Sequence, residues 1–409
     1  MFEAEVAVPR PELETRWTKC RAALRETAPE ASGLLVFTRL QIYYLTGTLA
    51  QGVVWLPIND DAAPVLMVRK GLERARMESS LERIASYKSY SQLAGVAAEF
   101  GAPFGPVLAV DKAGLTWQLA DMLTARVKGA TFVSGDMALN LARMRKSEWE
   151  LVRLREAGRR HHHALHEVLP GMIRPGMTER DIAHKTWEAF YAGGHQGIMR
   201  MQGFGEEIFL GHIAAGDNGN YPSAFNGPLG LRGEHPATPY MGSAERVWEP
   251  GTPLSLDVGW VHEGYHTDKT QIYWAGPESS LPGEVRAAHD FCIDIQAGLA
   301  ERMRPGATAS DAYLYCLKEA EARGFAEGFM GLGDNKVPFV GHGIGLAIDG
   351  YPPIAKGFDL PLEAGMTFAF EPKQGVPGVG MVGVENTFEI TEDGAVCITG
   401  DRYDMLCIE

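Results

Sequence analysis

The chain is 409 residues long, more than one ordinary hydrophobic core organises, so two domains are expected. Apolar residues make up 45% and charged residues 22%, which excludes a disordered chain. A net charge of −14 argues against nucleic acid or an anionic membrane surface as a partner.

The five cysteines (Cys20, Cys292, Cys316, Cys397 and Cys407) are scattered and form no CxxC pair, which points to reduced thiols in a cytoplasm. The opening stretch MFEAEVAVPRPE is acidic and has no apolar signal core. No run approaches the roughly 18 apolar residues of a membrane span.

In chain order, residues 1–135 alternate strand and helix signals. Leu34 to Phe37, Ile42 to Gly47, Val53 to Pro57, Val65 to Val68 and Pro106 to Asp111 read as strands. Lys70 to Leu81 and Leu115 to Val127 read as helices. The alternation predicts an α/β domain over 1–135, followed by a larger domain over 136–409.

The second domain opens with Arg143 to Leu169. There Ser147 and Glu150 form a capping box, and Leu151, Leu154, Leu165 and Val168 make a helical stripe that Gly158 interrupts. His161, His162 and His163 follow one another on that helix. Their side chains point about 100° apart, so they cannot converge on one ion and read as surface or groove residues.

An octapeptide beginning Arg174-Pro175-Gly176-Met177-Thr178 returns as Arg304-Pro305-Gly306-Ala307-Thr308, with Asp181 and Asp311 in matching places. In each copy the Thr can cap a helix that ends near a Gly (Gly193-Gly194 and Gly324). The repeat predicts an internal duplication with the site between its halves, where clefts form.

Asp257 and Asp268 lie in LDVGWVHEGYHTDKTQ, His342 in GHGIGL, Glu371 in FEPKQG and Glu385 in MVGVENT. Four carboxylates and an imidazole suit hard or borderline divalent ions. Four carboxylates exceed the needs of one ion, so a bridged two-ion site is expected, able to polarise a substrate oxygen. Mn, Co, Fe and Zn all satisfy this donor set. GHGIGL lacks the lysine of a phosphate loop. His262 and His266 share the face of Asp268 if the segment is a strand, which makes them candidates to support it.

These segments resemble the metallopeptidase family of methionine aminopeptidase, aminopeptidase P and prolidase, whose fold also serves metal-free creatinase. The matching pieces are Asp257-Val-Gly, Gly264 to Asp268, Gly341 to Leu346, Glu371-Pro372 and Glu385. The N-terminal third looks like the creatinase/prolidase N-terminal domain. The resemblance implies a pita-bread C-terminal domain of α+β type with a pseudo-twofold duplication. It also implies that Asp257 binds one ion bidentately or bridges partly, that Asp268 and Glu385 bridge both ions, and that His342 and Glu371 complete one of them. Glu371 would also take the proton from water.

The departures from the family also bear on function. Pro338 replaces a histidine four residues before the ligand histidine, and Asp349 stands at the histidine position of an H-E-x-P segment. Gly383 replaces an arginine two residues before the last glutamate. Thr238-Pro239-Tyr240 occupies the neighbourhood of a third histidine. In the peptidases such imidazoles bind the substrate carbonyl and stabilise the tetrahedral intermediate. His235 and His212, in a loop-rich stretch before Asp257, read either as surface loop residues or as replacements, with His235 preferred; Asp349 reads as a general base or as a turn cap.

The expected function is metal-dependent hydrolysis of small peptides, as an Xaa-Pro dipeptidase or aminopeptidase. The alternatives are a C–N hydrolase or lyase on the same fold, creatinase-like or resembling dimethylsulfoniopropionate lyases, or a binding protein with a vestigial site. The resemblance further implies a homodimer, with Tyr43, Tyr44 and Trp55 as candidate contacts or core residues.

Overall fold

Residues 4–203 and 207–409 are described by the structure, a computed structural model. Contacts divide the chain into Met1–Arg143 and Met144–Glu409.

The first unit runs α1 (Arg10–Thr27), β1 (Gly33–Val36), α2 (Arg39–Thr46), β2 (Gln51–Pro57), β3 (Val65–Lys70), α3 (Leu72–Glu78), β4 (Ile84–Ser86), α4 (Leu93–Glu99), β5 (Val107–Val110), α5 (Trp117–Arg126), β6 (Thr131–Ser134) and α6 (Asp136–Met144). Its six strands form one sheet in the order β4-β3-β2-β1-β5-β6. The central strand β1 is buried throughout, as its unbroken apolar run predicts.

Two expectations change here, and one alternative left open by the sequence is decided. Ile42 to Gly47 is not a strand but most of helix α2. Leu40, Ile42, Tyr44 and Leu45 are buried in it, a helical spacing that its β-branched and aromatic composition masks. The division falls at Arg143 rather than 135. Helix α6 buries Ala138, Leu139 and Ala142, and Tyr44 Oη donates to the Ala142 carbonyl, tying the helix to this unit. Tyr44 and Trp55 are fully buried, and Trp55 Nε1 donates to Ala102 O, so both are core.

The second unit begins with α7 (Glu148–His163). Ser147 and Glu150 close its capping box, and a π-helical turn, Ala164–Val168, follows it. The helix runs through Gly158, where a Cβ would lie 2.0 Å from the Ile398 carbonyl oxygen, so the glycine permits close packing rather than breaking the helix. His161 is buried against Phe190 and Trp260, contrary to its expected surface position, while His163 is exposed. The same 100° fan that forbids convergence on one ion turns one of the three inward.

Then follow α8 (Glu179–Ala192), β7 (Ile198–Arg200), β8 (Glu207–Phe209), β9 (Gly211–Ala215), β10 (Pro253–His262), β11 (Tyr265–Ala275), α9 (Gly283–Arg302), α10 (Ala309–Ala322), β12 (Phe339–Gly343), β13 (Gly350–Ala355), β14 (Thr367–Phe370), β15 (Lys373–Val376), β16 (Gly380–Gly383), β17 (Asn386–Thr391), β18 (Gly394–Cys397) and β19 (Leu406–Ile408). One sheet is ordered β19-β11-β10-β9 and another β13-β12-β14-β17-β18.

The octapeptide repeat has a matching structure in both copies. Thr178 and Thr308 cap α8 and α10 by accepting from the amides of Asp181 and Asp311, contacts worth ~1 kcal/mol each. Gly176 N donates to Trp248 O as Gly306 N does to Leu362 O. Trp248 N returns to Met177 O as Leu362 N does to Ala307 O. Asp257 and Asp268 belong to the sheet that follows the first copy, and His342 to the sheet that follows the second. Among the described residues no helix is long and apolar enough to cross a membrane.

Candidate metal centre

Strands β10 and β11 form an antiparallel pair in which Asp257 faces Thr270 and Gly259 faces Asp268. Directly opposed residues share a face, so both aspartates project to one side of the sheet. Thr270, two residues beyond Asp268, shares that face and donates through Oγ1 to Asp257 Oδ1 at 2.9 Å; the same oxygen lies 3.2 Å from Glu385 Oε2. Thr270 N also donates to the Glu385 carbonyl, joining the two halves of the site.

His342 lies on β12. Its Nδ1 is 3.2 Å from the Gly343 carbonyl oxygen, which can only accept, so Nδ1 carries the proton and Nε2 presents its lone pair to the site. His342 Nε2 is 3.8 Å from both Glu371 Oε1 and Glu385 Oε1. Glu371 directly follows β14 and is anchored by its amide to Val340 O; Glu385 enters β17. Behind the loop after His342, His266 N and Nδ1 lie 2.7 and 3.0 Å from Gly345 O, and its Nε2 accepts from Arg200 N. His266 therefore positions that loop.

All five residues read as ligands from the sequence line the same cleft, of about 340 Å³. Its walls are largely apolar, with Met199, Ile208, Phe225, Ile348 and Tyr351 among them. Asp268, His342 and Glu385 each offer a ligand atom, and these atoms lie within 4.8 Å of one another, which suits a single divalent ion with Glu371 beside it.

The position next to Asp257 differs. Lys373, the first residue of β15, is buried, and its Nζ lies 2.6 Å from Glu385 Oε2, 3.2 Å from Asp257 Oδ2 and 3.5 Å from Glu371 Oε2. A second ion shared by Asp257 and Glu385 would meet this ammonium.

The electrostatics follow from four carboxylates meeting one ammonium away from water. Burial pushes Asp268 and Glu385 well above the usual carboxyl range and raises Glu371 as well, with repulsion from neighbouring carboxylates adding to the first two. Asp257 goes the other way. Burial opposes its charge, but the Lys373 ammonium and the surrounding donors hold it ionised. Burial likewise opposes the Lys373 charge, and Asp257, Glu385 and Glu371 outweigh it, keeping the proton well above the ordinary lysine value. Such a cluster has room for more positive charge.

The other sequence candidates fare differently. His235 is exposed in its loop, accepts from Ala237 N through Nδ1, and is not among the residues lining the cleft. A local turn, in which Thr238 N donates to His235 O, holds it there. His212 does line the cleft. It sits on β9 directly across from Asp257, is buried, and its Nε2 has no hydrogen-bond partner among the described residues. Burial pulls its pKa down, which favours the neutral imidazole. Asp349 lies in the cleft wall, where Oδ1 accepts from Gln202 N at 2.6 Å.

Lys373 and Thr270 were not singled out from the sequence. Thr270 stands two residues beyond Asp268 on β11, where strand periodicity puts it on that ligand's own face, whereas Lys373, two residues beyond Glu371, opens a new strand and carries no such signal.

The family described as metallopeptidase family M24 matches residues 152–392, and the creatinase/prolidase N-terminal domain matches residues 16–145. A probable dipeptidase PepE of Mycobacterium bovis is 30% identical over 272 residues, which span 66% of this chain and 62% of that relative's length. A Xaa-Pro dipeptidase of Lactobacillus delbrueckii subsp. lactis is 28% identical over 288 residues, 70% of this chain and 68% of the relative. The solved Xaa-Pro dipeptidase from Bacillus anthracis superposes with a TM-score of 0.78 at 22% identity, covering 97% of this chain and all of that one, a likeness of fold.

Proposed function

The chain belongs to metallopeptidase family M24, with a creatinase/prolidase-type N-terminal domain and a pita-bread C-terminal domain, and on that premise we propose that it hydrolyses small peptides, with Xaa-Pro dipeptides as substrate. The observation that carries this reading is the convergence of Asp257, Asp268, His342, Glu371 and Glu385 at one apolar-walled cleft. The dipeptidase and Xaa-Pro dipeptidase names of its relatives agree with it.

A divalent ion held by Asp268, His342, Glu371 and Glu385 supplies Lewis acidity towards a substrate carbonyl and acidifies water. Manganese, cobalt, iron and zinc all suit these donors. The two bridged ions implied by the family fit less well, because Lys373 borders the Asp257 side.

The protein's own groups take the remaining tasks. Glu371, buried in the cleft with its carboxyl raised above the usual range by burial, accepts the proton of the attacking water. His212 presents Nε2 to the carbonyl oxygen and takes the stabilising role for which His235 is badly placed. Asp349 shapes the wall by holding the Gln202 amide, and proton transfer stays with Glu371. Met199, Ile348 and Tyr351 supply the apolar surface that a proline ring or side chain would cover.

A C–N hydrolase or lyase on the same fold is the second reading. It is favoured by Pro338, Asp349 and Gly383 at positions where the peptidases carry imidazoles and an arginine. Residence in a cytoplasm, supported by five free cysteines, and assembly as a homodimer belong to the same proposal. A panel of dipeptides offered to the metal-loaded protein separates the two reactions.

A further inference from the structure

Lys373 is a buried cation set against three of the carboxylates that line the cleft. Three observations define it. Its ammonium touches carboxylates of Asp257, Glu371 and Glu385, the first and last being ligands of the position that would hold the ion next to Asp257. It is 1% exposed, so it cannot swing into solvent without opening the core. It also faces Gly383 across the β15–β16 hairpin.

Gly383 has φ 136°, and a Cβ there would lie 2.4 Å from Pro372 O and 2.7 Å from the Lys373 Cα. The backbone therefore admits no side chain at 383. The positive charge arrives from the opposite strand instead, with a reach that ends on the ligand oxygens.

We infer that the Lys373 ammonium is a built-in cation occupying the Asp257 side of the centre, and that the protein takes one divalent ion, on Asp268, His342, Glu371 and Glu385. The inference rests on the metal-dependent reading above and narrows it. An ammonium 2.6 Å from Glu385 Oε2 already fills a coordination direction of that carboxylate. It neutralises Asp257 without needing metal, and it repels a divalent cation brought to the same oxygens. The donor atoms of Asp268, His342 and Glu385, within 4.8 Å of one another, remain on the other side.

The test is a count of ions, independent of turnover. The purified full-length protein, stripped with chelator, is dialysed to equilibrium against Mn²⁺, and bound manganese per chain is measured by elemental analysis. The same measurement is made on Lys373→Met, which removes the charge but keeps an unbranched side chain, and on Lys373→Arg, which keeps the charge; circular dichroism in the presence of Mn²⁺ checks that each is folded. The expected result is one ion in the native protein and in Lys373→Arg, rising to two in Lys373→Met.

Two ions in the native protein overturn the inference and leave the peptidase proposal standing. One ion in both the native protein and a folded Lys373→Met also overturns it, because the lysine is then not what excludes the second. No bound manganese in any of the three overturns both. If Lys373→Met does not fold, the decision passes to the native count together with a crystal soaked in Mn²⁺: a single anomalous peak between Asp268 and His342, with Lys373 beside Asp257, supports the inference, and two peaks overturn it.

Discussion

His212 and Asp257 are paired directly across the β9–β10 ladder, so the imidazole and the carboxylate stand on the same face, at the floor of one cleft. This pairing gives the site a histidine from a strand, held by its neighbours, where the loop histidine His235 is exposed. Replacing His212 by Ala is expected to lower kcat by about a hundredfold to a thousandfold, the usual loss for one oxyanion donor, with bound metal unchanged. His235→Ala should leave kcat within about twofold of the native value, far short of that loss. Steady-state rates with parallel metal analysis decide between the two residues.

Asp268 and His342 supply two of the three clustered ligand atoms. Asp268→Ala and His342→Ala are each expected to abolish both hydrolysis and manganese retention after dialysis. Chelation of the native protein should remove activity reversibly. Activity surviving full chelation would remove the metal from the mechanism.

Thr270 joins Asp257 to Glu385 through one hydroxyl. Thr270→Val keeps the shape of the side chain and deletes that link. Metal affinity should fall by roughly 10–100-fold, as for other residues that orient ligands, while the circular dichroism spectrum is unchanged. Titration with Mn²⁺ measures it.

Glu179, fully buried at the start of α8, accepts from Ala215 N, Asn218 Nδ2 and Ser243 N. Glu179→Ala leaves three donors without this acceptor at a cost of ~1–3 kcal/mol for each one left unsatisfied. Hydrogen exchange should quicken over residues 213–243, the stretch that begins beside His212. Unaltered protection there would show that Glu179 does not hold the segment.

Asp111, in the N-terminal unit, accepts from Phe37 N, Thr38 N and Thr38 Oγ1, yet burial pushes its carboxyl up to about 7. The folded unit then keeps a proton that the unfolded chain releases near the ordinary value of 3.8. This contribution is fully present below that value and is lost as the pH rises through about 7. Stability of the unit should therefore be lower at high pH than at low pH within this window, and the difference should shrink in Asp111→Asn. Urea unfolding followed at both pH values provides the comparison.

Much of this molecule is legible in its sequence because its signals are local. The Ser147–Glu150 box, the paired Thr caps and the buried run of β1 each depend on a few adjacent residues. Ile42 to Gly47 was not legible, because whether that apolar segment coils or extends depends on what covers it. The placement of His212 depends on strand register between β9 and β10, which spacing along the chain does not encode across the long connection from Gly216 to Thr252. Lys373 was not readable, because Glu371 and Pro372 lie between β14 and β15 and strand alternation does not carry across them. Its contact with Asp257 needs a hairpin partner, Gly383, that only the folded register supplies.

The central claim is hydrolysis of Xaa-Pro dipeptides by a metal centre on Asp268 and His342. Its most direct test is the initial rate of proline release from a set of Xaa-Pro dipeptides, alongside non-proline dipeptides, by native protein of measured manganese content and by Asp268→Ala. The account predicts proline release by the native protein and none by the variant. A native protein carrying its full metal complement that releases no proline from any member of the set would contradict it and favour the non-peptidase reading.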